Sequence, residues 1–313
     1  MRCRLLTAVL AVLALGTPAL ACEGRRVDGP FVQPAPVCAP ERPLRVATLD
    51  PFFSLQMALW LDAPVIASAR SGASLPDLEP PLAERLAALA PADLGAHLSP
   101  DIEALLEVEP DLILGDAHAH AGLHETLSRI APTVLVDAAD WRDWLRTLAE
   151  ALGRRGAADA ALSAYAARAA EVAALVPEGA TASFLRIVPG GFQVYVDGPA
   201  AYAPARVLAD AGFARPPFET ATDDTVLRRP GWEGLLLLEG DVMFYTFGGG
   251  HHASEGRELE QETLAHPLWS AIPAVRAERA MRVDPGLWMG FGGPHSAMRM
   301  LDDIERAARG LSR

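Results

Sequence analysis

Closely spaced histidines give the sequence its most direct suggestion of chemistry. His118 and His120 are separated by one residue, and His124 follows them. An H-x-H pair occurs in several zinc hydrolases, so a secreted metal-dependent hydrolase is one function to consider. Those enzymes need an aspartate and then a histidine where this chain has Gly122 and Leu123. Because serine-hydrolase, zinc-protease and P-loop motifs are also absent, we expect these histidines to donate hydrogen bonds to a ligand or to be solvated.

The histidine loop follows a sequence unit that occurs twice, about 130 residues apart. The pattern E-x-L-L-x-x-E-x-D spans 103–111 and recurs at 233–241, and an apolar strand follows each copy. A loop rich in glycine and histidine comes next, at 116–122 and at 247–252. A period this long indicates a duplicated lobe, since solenoid repeats span about 20–50 residues. Two similar lobes imply a cleft between them.

Strands and helices alternate around the repeated unit. We predict strands at 45–49, 65–67, 112–114, 133–136, 184–188, 192–196 and 281–283, and helices at 52–61, 100–107, 203–211 and 295–309. This alternation indicates parallel α/β units. The alanine- and leucine-rich segment 157–176 predicts a helix about 30 Å long, enough to cross from lobe to lobe. The predicted fold is α/β, with two similar lobes, each a parallel-type sheet flanked by helices, joined by a single long helix.

The N-terminal segment predicts export. Arg2 and Arg4 precede an apolar run at 5–15, and Ala19-Leu20-Ala21 forms a cleavage site, as in a secretory signal peptide. We therefore expect an exported protein. The predicted domains are a signal peptide at 1–21, an N-terminal arm at 22–42, an N-terminal lobe at 43–138, an interlobe helix at 139–178 and a C-terminal lobe at 179–313.

Cys22 and Cys38 are the two cysteines of the predicted mature chain. In an oxidising compartment they most simply pair, and such a bridge contributes about 3 kcal/mol on loop-entropy grounds. The alternative is that Cys22, as the first residue after cleavage, carries a lipid anchor.

Charge excludes one class of partner. The net charge of −13 argues against nucleic acid, whose binding depends on neutralising phosphates. All 27 basic residues are arginine, which suits planar recognition of oxyanions wherever it lines a site.

Four segments carry a resemblance to a known family. Residues 103–114 look like its E-x-(apolar)₂-x-x-x-P-D-(apolar)₃ element, and 127–134 are close to its L-x-x-I-A-P-T segment. Residues 267–276 match P-L-W-x-x-(apolar)-P-x-V-R, and 288–302 match the closing strand, loop and helix. Together they resemble the substrate-binding proteins of siderophore and cobalamin ABC importers, ferric-hydroxamate binders in particular, from about residue 43 to the C-terminus.

The resemblance implies a function. It implies a monomeric periplasmic protein of the class III type, not an enzyme and without a cofactor. Such a protein captures a ferric siderophore in its cleft and delivers it to an inner-membrane ABC permease with its ATPase. Haem, cobalamin or another metal chelate are alternative ligands. The hydrolase, and a binding module such as a sensor subunit, are the other functions left open.

Ligands of open α/β sheets bind at the carboxyl ends of strands, and that rule selects aromatic and basic residues here. The predicted ligand-binding residues are Arg70, His97, His118, His120, Tyr195, Tyr202, Tyr245, His251 and Trp288. Trp288 also coincides with a ligand-contact position of the family. His97 stands where hydroxamate binders have arginine, and Ala119-His120 where related binders have Arg-His, so the chelate class stays open.

Glu103 and Glu233 open the two copies of the repeated unit. A carboxylate in a first helical turn stabilises the helix, so a capping role is one interpretation. A duplicated glutamate on two lobes also fits a two-fold symmetric permease, which predicts that each glutamate docks against an arginine of that partner.

Overall fold

The computed structural model describes residues 22–71, 78, 80–248 and 257–311. The predicted signal peptide and His251 lie outside the described residues. The strands within them are β1 (Arg25–Val27), β2 (Val32–Gln33), β3 (Val37–Ala39), β4 (Val46–Thr48), β5 (Val65–Arg70), β6 (Ala92–Ala96), β7 (Ser99–Pro100), β8 (Leu112–Asp116), β9 (Thr133–Val136), β10 (Ala182–Val188), β11 (Gly191–Tyr195), β12 (Leu227–Arg228), β13 (Val242–Phe247) and β14 (Ala280–Arg282).

Helices cover the sheets and connect them. The α-helices are α1 (Phe53–Trp60), α2 (Leu82–Leu89), α3 (Ile102–Glu107), α4 (Ala117–His120), α5 (His124–Leu127), α6 (Trp141–Leu152), α7 (Arg155–Ala173), α8 (Ala203–Asp210), α9 (Arg257–Ala265), α10 (Pro273–Arg276), α11 (Pro285–Met289) and α12 (Pro294–Leu311). Short 3-10 helices span Ala121–Leu123, Pro217–Glu219 and Glu233–Leu237. In the described part of the chain, no helix has the length and apolar character needed to cross a membrane.

The first sheet has seven strands in the order β2-β9-β8-β4-β5-β6-β7. Its five central strands are parallel, and β2 and β7 pair antiparallel at the edges. Strands β4 and β9 are buried along their whole length, as expected for parallel strands covered on both faces. The predicted parallel lobe is confirmed here.

The second sheet has the order β12-β11-β10-β13-β14. Strands β10, β13 and β14 are parallel, whereas β10 and β11 form an antiparallel hairpin. Gly190, with φ of 81°, lies in the hairpin turn. A connection this short can join only antiparallel strands. The second sheet is therefore mixed, whereas the sequence predicted a parallel-type sheet.

Two helices occupy the segment predicted as a single interlobe helix. Helix α6 is capped by Gly153, whose φ of 69° is a left-handed conformation that residues with a Cβ rarely adopt. Helix α7 begins two residues later, at Arg155. Helix α7 has 19 residues, a length of about 28 Å, and packs against α6 on one side and α8 and α12 on the other. The buried Tyr165 hydroxyl donates to Asp210 at 2.7 Å, which ties α7 to the end of α8.

The two copies of the repeated unit share a burial pattern but differ in helix type. Leu105 and Leu235 are buried at equivalent positions, and Glu103 and Glu233 are exposed. The first copy forms α3, whereas the second forms the 3-10 helix Glu233–Leu237. Gly234 replaces the alanine of the first copy, and glycine disfavours an α-helix, which accounts for the difference.

A disulfide between Cys22 and Cys38 closes the N-terminal arm, as predicted, with 5.6 Å between the two Cα atoms. The bridge lies beside the two-stranded sheet of β1 and β3. Because both sulfurs are used, the structure leaves no thiol on Cys22 for a lipid anchor.

We expect protein recovered from the periplasm to have no alkylatable thiol before reduction and two after it. Intact mass after iodoacetamide treatment, with and without reductant, measures this directly. A diacylglycerol-sized mass increment, or two free thiols without reductant, would overturn the pairing.

Candidate functional site

The first sheet brings two predicted site residues, Arg70 and His97, together at the carboxyl ends of its strands. Arg70 ends β5, and its Nε donates to both carboxylate oxygens of Asp93 at 2.8 and 3.1 Å. The Gly95 backbone N–H and the Arg70 guanidinium lower the pKa of Asp93. The half-buried His97 donates its backbone N–H to the Arg70 carbonyl at 2.9 Å, and its ring meets the edge of Phe52 at 5.8 Å. Arg70 and His97 are therefore held side by side.

The two histidines of the H-x-H pair have different environments. His118 is exposed, and its Nε2 lies 3.2 Å from Asp137 Oδ1. His120 is fully buried, with Nε2 2.8 Å from the His97 carbonyl oxygen and Nδ1 3.1 Å from the Asp116 backbone nitrogen. Both ring nitrogens of His120 contact backbone groups in this conformation, and its contact with a ligand stays a prediction. His120 positions the His97 loop.

Asp50 is a site feature that the sequence did not reveal. Its carboxylate accepts the backbone N–H groups of Phe52 at 3.1 Å and Ser54 at 2.7 Å, and so caps the start of α1. Burial raises the pKa of Asp50, and the neighbouring Asp116 adds to that increase, against the effect of the two hydrogen bonds.

We expect Asp50 to make stability depend on pH. The pKa of Asp50 is higher in the folded state than its ordinary value of 3.8, so protonation of Asp50 favours the folded state. That contribution is complete below 3.8 and is lost as the pH rises through the folded-state pKa. Relative to Asp50→Asn, which cannot titrate, the free energy of unfolding of the wild-type protein should fall as the pH rises from 3.8 through the folded-state pKa of Asp50. Urea unfolding of both proteins at several pH values measures the difference, and a constant difference would contradict the assignment.

On the second sheet, polar and aromatic side chains form a connected group around Arg186. Arg186 on β10 is buried, and its Nη1 donates to Gln193 Oε1 at 3.3 Å. The Tyr195 hydroxyl donates to the same oxygen at 3.3 Å, and the Tyr195 ring packs against Tyr202 with centroids 5.2 Å apart. The Tyr202 hydroxyl donates to the Met289 carbonyl at 2.6 Å, and burial raises the pKa of Tyr202. This group contains two of the predicted tyrosines and an arginine that was not predicted.

Helix α1 joins this group to the first sheet. Gln56 Nε2 donates to the Gly290 carbonyl at 2.9 Å, and Phe53 packs against Phe291 with centroids 6.3 Å apart. A Cβ on Gly292 would lie 2.0 Å from Gln56 Oε1, so only glycine allows this approach. Contacts therefore run from His97 through Phe52 and Phe53, at the start of α1, to the tyrosines and Arg186.

Trp288 lies in the hydrophobic core and not along this line of contacts. It is fully buried, its Nε1 donates to Asp303 at 2.9 Å, and its ring packs against Phe244 at 4.8 Å and Phe184 at 5.1 Å. In this conformation no surface of the Trp288 ring is exposed, and its predicted contact with a ligand stays a prediction. Trp288 supports the sheet from which Arg186 projects.

Tyr245 lies apart from Tyr195 and Tyr202. Its ring contacts Trp269 at 5.0 Å and Phe247 at 5.8 Å, in a core cluster on the other face of the second sheet. Burial raises the pKa of Tyr245. Thr246, the next residue on β13, pairs with Arg186 of β10. Because successive side chains of a strand point to opposite faces, Tyr245 lies on the other face of the sheet from the Arg186 group.

The donor groups of this region do not suggest a resident metal. Among the described residues, no three histidine, cysteine, aspartate or glutamate side chains are grouped so that they could hold a metal ion. The region offers guanidinium, imidazole and phenol groups beside aromatic rings, an arrangement suited to an anionic organic ligand.

The two glutamates of the repeated unit lie on the surface. Glu103 lies in the first turn of α3, but Asp101 provides the cap by accepting the N–H groups of Glu103 and Ala104. Glu233 is the first residue of its 3-10 helix. In the described ranges neither glutamate side chain makes a hydrogen bond or an ion pair, so any stabilisation that it gives its helix comes from the helix dipole alone.

Two lobes with helix-flanked sheets, joined through α6 and α7, have the architecture of class III substrate-binding proteins of ABC importers. The family model described as "Periplasmic binding protein" matches residues 46–286, and the chain belongs to this family. Its members bind substrates and are not enzymes.

Known relatives agree with this assignment. A protein of Bacillus subtilis named "Probable siderophore-binding lipoprotein" is 27% identical over 222 residues, 68% of this chain and 67% of that protein. The achromobactin-binding periplasmic protein of Dickeya dadantii is 27% identical over 220 residues, 68% of this chain and 70% of its own. The crystal structure of Staphylococcus aureus SirA with staphyloferrin B superposes with a TM-score of 0.71 at 21% identity, covering 87% of this chain and 95% of SirA.

Proposed function

We propose that this protein captures a ferric siderophore between its lobes and delivers it to an ABC permease for iron uptake. The observation that carries the proposal is the line of contacts from His97 to Arg186, which spans both lobes of a periplasmic binding protein. The names of the two relatives from B. subtilis and D. dadantii support the same class of substrate.

Arg186 and His97 are the proposed donors to the metal-bound oxygens of the chelate. A charge-assisted hydrogen bond from a guanidinium is roughly twice as strong as a neutral one, and its strength increases in a partly dry site. Tyr195, Tyr202, Phe52 and Phe53 supply apolar surface for the organic part of the ligand. Arg70 and His118 belong to the proposed rim of the same site, and His251 stays a ligand-binding residue predicted from the sequence. An anionic ferric chelate is the ligand that this combination favours.

Fluorescence titration tests the proposed function. Purified protein is titrated with iron-loaded and iron-free siderophores, ferric citrate, haem, cobalamin, zinc and Fe(III) alone, following tryptophan emission. We expect saturable quenching by at least one ferric siderophore and none by Fe(III) or zinc. Stoichiometric zinc binding with esterase or lactamase turnover would contradict the proposal, as would binding of haem or cobalamin alone.

The proposed docking surface consists of Glu103 and Glu233 with the leucines three residues further on. Leu106 is 54% exposed and Leu236 is 37% exposed, so each lobe presents the same acidic and apolar pair to solvent. A monomer with two such pairs suits a permease that has two related halves. Export by the signal peptide at 1–21 belongs to the same proposal.

A further inference from the structure

A cavity of about 270 Å³ lies at the end of the first lobe that is opposite the proposed siderophore site. Arg25 and Arg42 of the arm line it, together with residues 63–64 and 153–154. Residues 42 and 64 precede β4 and β5, so the cavity lies at the amino ends of these strands. The proposed siderophore residues of this lobe follow the carboxyl ends, and the two sites are therefore separate.

Positive charge dominates the cavity walls. Arg25, Arg42 and Arg154 face a single carboxylate, Glu41, an excess of two positive charges in a chain whose net charge is −13. Over the residues that the structure describes, Arg42 and Arg154 are exposed and have no ion-pair partner. An arginine pair left unneutralised in an acidic protein is a recognition feature for an anion.

Arg25 is fixed within this wall. Its Nη2 donates to the Glu41 carboxylate at 2.9 Å and to the Glu41 carbonyl at 2.8 Å, and its Nη1 donates to the Glu150 carbonyl at 3.3 Å. A Cβ on Gly153 would lie 2.5 Å from Nη1, so this guanidinium lies directly against the turn between α6 and α7. The cavity wall thus contains the Arg25 guanidinium, which these hydrogen bonds hold in position.

The start of α7 adds to the attraction for anions. The N-cap residue is Arg154, whose guanidinium has no acceptor atom to cap the helix, and the first turn contains no acidic residue. A second cavity of about 430 Å³, lined by Arg25, Gly153, Arg155 and Gly156, opens at this helix start and shares two residues with the first. A helix N-terminus without a cap presents free N–H groups and positive potential.

We propose that these adjoining cavities bind a phosphate group through Arg42, Arg154 and the fixed Arg25, beside the first turn of α7. The source is either free inorganic phosphate or the phosphodiester of an anionic phospholipid, because both present the same oxygens. This site does not depend on the proposed siderophore function.

Calorimetric titration of the full chain with sodium phosphate, at constant ionic strength against sodium chloride, tests the site. The double substitution Arg42→Gln/Arg154→Gln should weaken phosphate binding by about tenfold or more, since two charge-assisted hydrogen bonds are lost. Arg276→Gln/Arg279→Gln is the matched control, because it removes two exposed arginines elsewhere, and it should bind as wild type does. Equal weakening by both pairs, or no phosphate binding by wild type and no vesicle binding, would overturn the proposal.

Vesicle sedimentation distinguishes the two sources. Binding to vesicles of phosphatidylcholine with phosphatidylglycerol, but not to phosphatidylcholine alone, and its loss in the Arg42→Gln/Arg154→Gln protein, would assign the phospholipid. Binding of free phosphate without vesicle binding would assign inorganic phosphate.

Gly156→Glu is an independent variant, since a Cβ at Gly156 meets no neighbouring atom and the carboxylate would occupy the first turn of α7. It should raise the melting temperature and abolish phosphate binding, and unchanged phosphate affinity would contradict the role of the helix start.

Discussion

Replacing Arg186 with alanine is expected to weaken binding of the ferric chelate by roughly 10- to 150-fold. A hydrogen bond to a charged group contributes about 1.5–3 kcal/mol, and about 1.4 kcal/mol corresponds to a factor of ten in affinity. Arg186 is a buried guanidinium in the group that contains Tyr195 and Gln193, so its loss removes a charged donor from the proposed site. Tryptophan-quenching titrations of wild-type and variant protein measure the effect.

Two variants separate a ligand contact from a packing effect. Arg186→Lys keeps the charge but loses the planar fork, and we expect it to bind with an affinity between those of wild type and Arg186→Ala. Arg228→Ala removes an exposed arginine from the edge strand β12 of the same sheet and should leave affinity unchanged. Wild-type affinity in a folded Arg186→Ala protein would exclude Arg186 from the site.

Much of the fold could be predicted because its central strands are continuous apolar runs. The segments 112–114 and 133–136 contain only apolar or β-branched residues, and both lie in the parallel centre of the first sheet. Strand β6 was missed because, of its five residues, only Leu94 is buried, and one buried residue gives no alternation to detect. The direction of β11 followed from its short connection to β10, which the prediction did not consider.

The candidate site was harder to predict because loop position does not determine which way a side chain points. The carboxyl-end rule selected Tyr195, Tyr245 and Trp288 alike, yet only Tyr195 lies with Arg186. Strand alternation places Tyr245 on the other face of the sheet, and tertiary packing buries Trp288. Arg186 did leave a signal, as the one charged residue in the apolar strand 184–188, where an unsupported charge would be costly.

Sign reversal at both repeated glutamates is expected to abolish import while leaving ligand affinity intact. Glu103→Arg and Glu233→Arg each place a positive charge where the proposed permease presents arginine. An exposed ion pair contributes only about 0–1 kcal/mol. Like charges brought together at an interface cost more, because they reject the partner instead of merely failing to attract it. The double variant should therefore fail in growth on the ferric siderophore as sole iron source, and each single variant should be impaired.

The repeated unit supplies its own matched control for this experiment. Glu109→Arg/Glu239→Arg makes the same change of charge at two exposed, equivalent positions of the unit, at its other end and close to the starts of β8 and β13. If docking depends on the positions of Glu103 and Glu233, this control protein transports iron and the reversal variant does not. If total charge governs docking, both double variants fail equally, because each adds the same positive charge to an acidic protein. Wild-type transport by Glu103→Arg/Glu233→Arg would refute the docking role and return both residues to stabilising the first turns of their helices through the helix dipole.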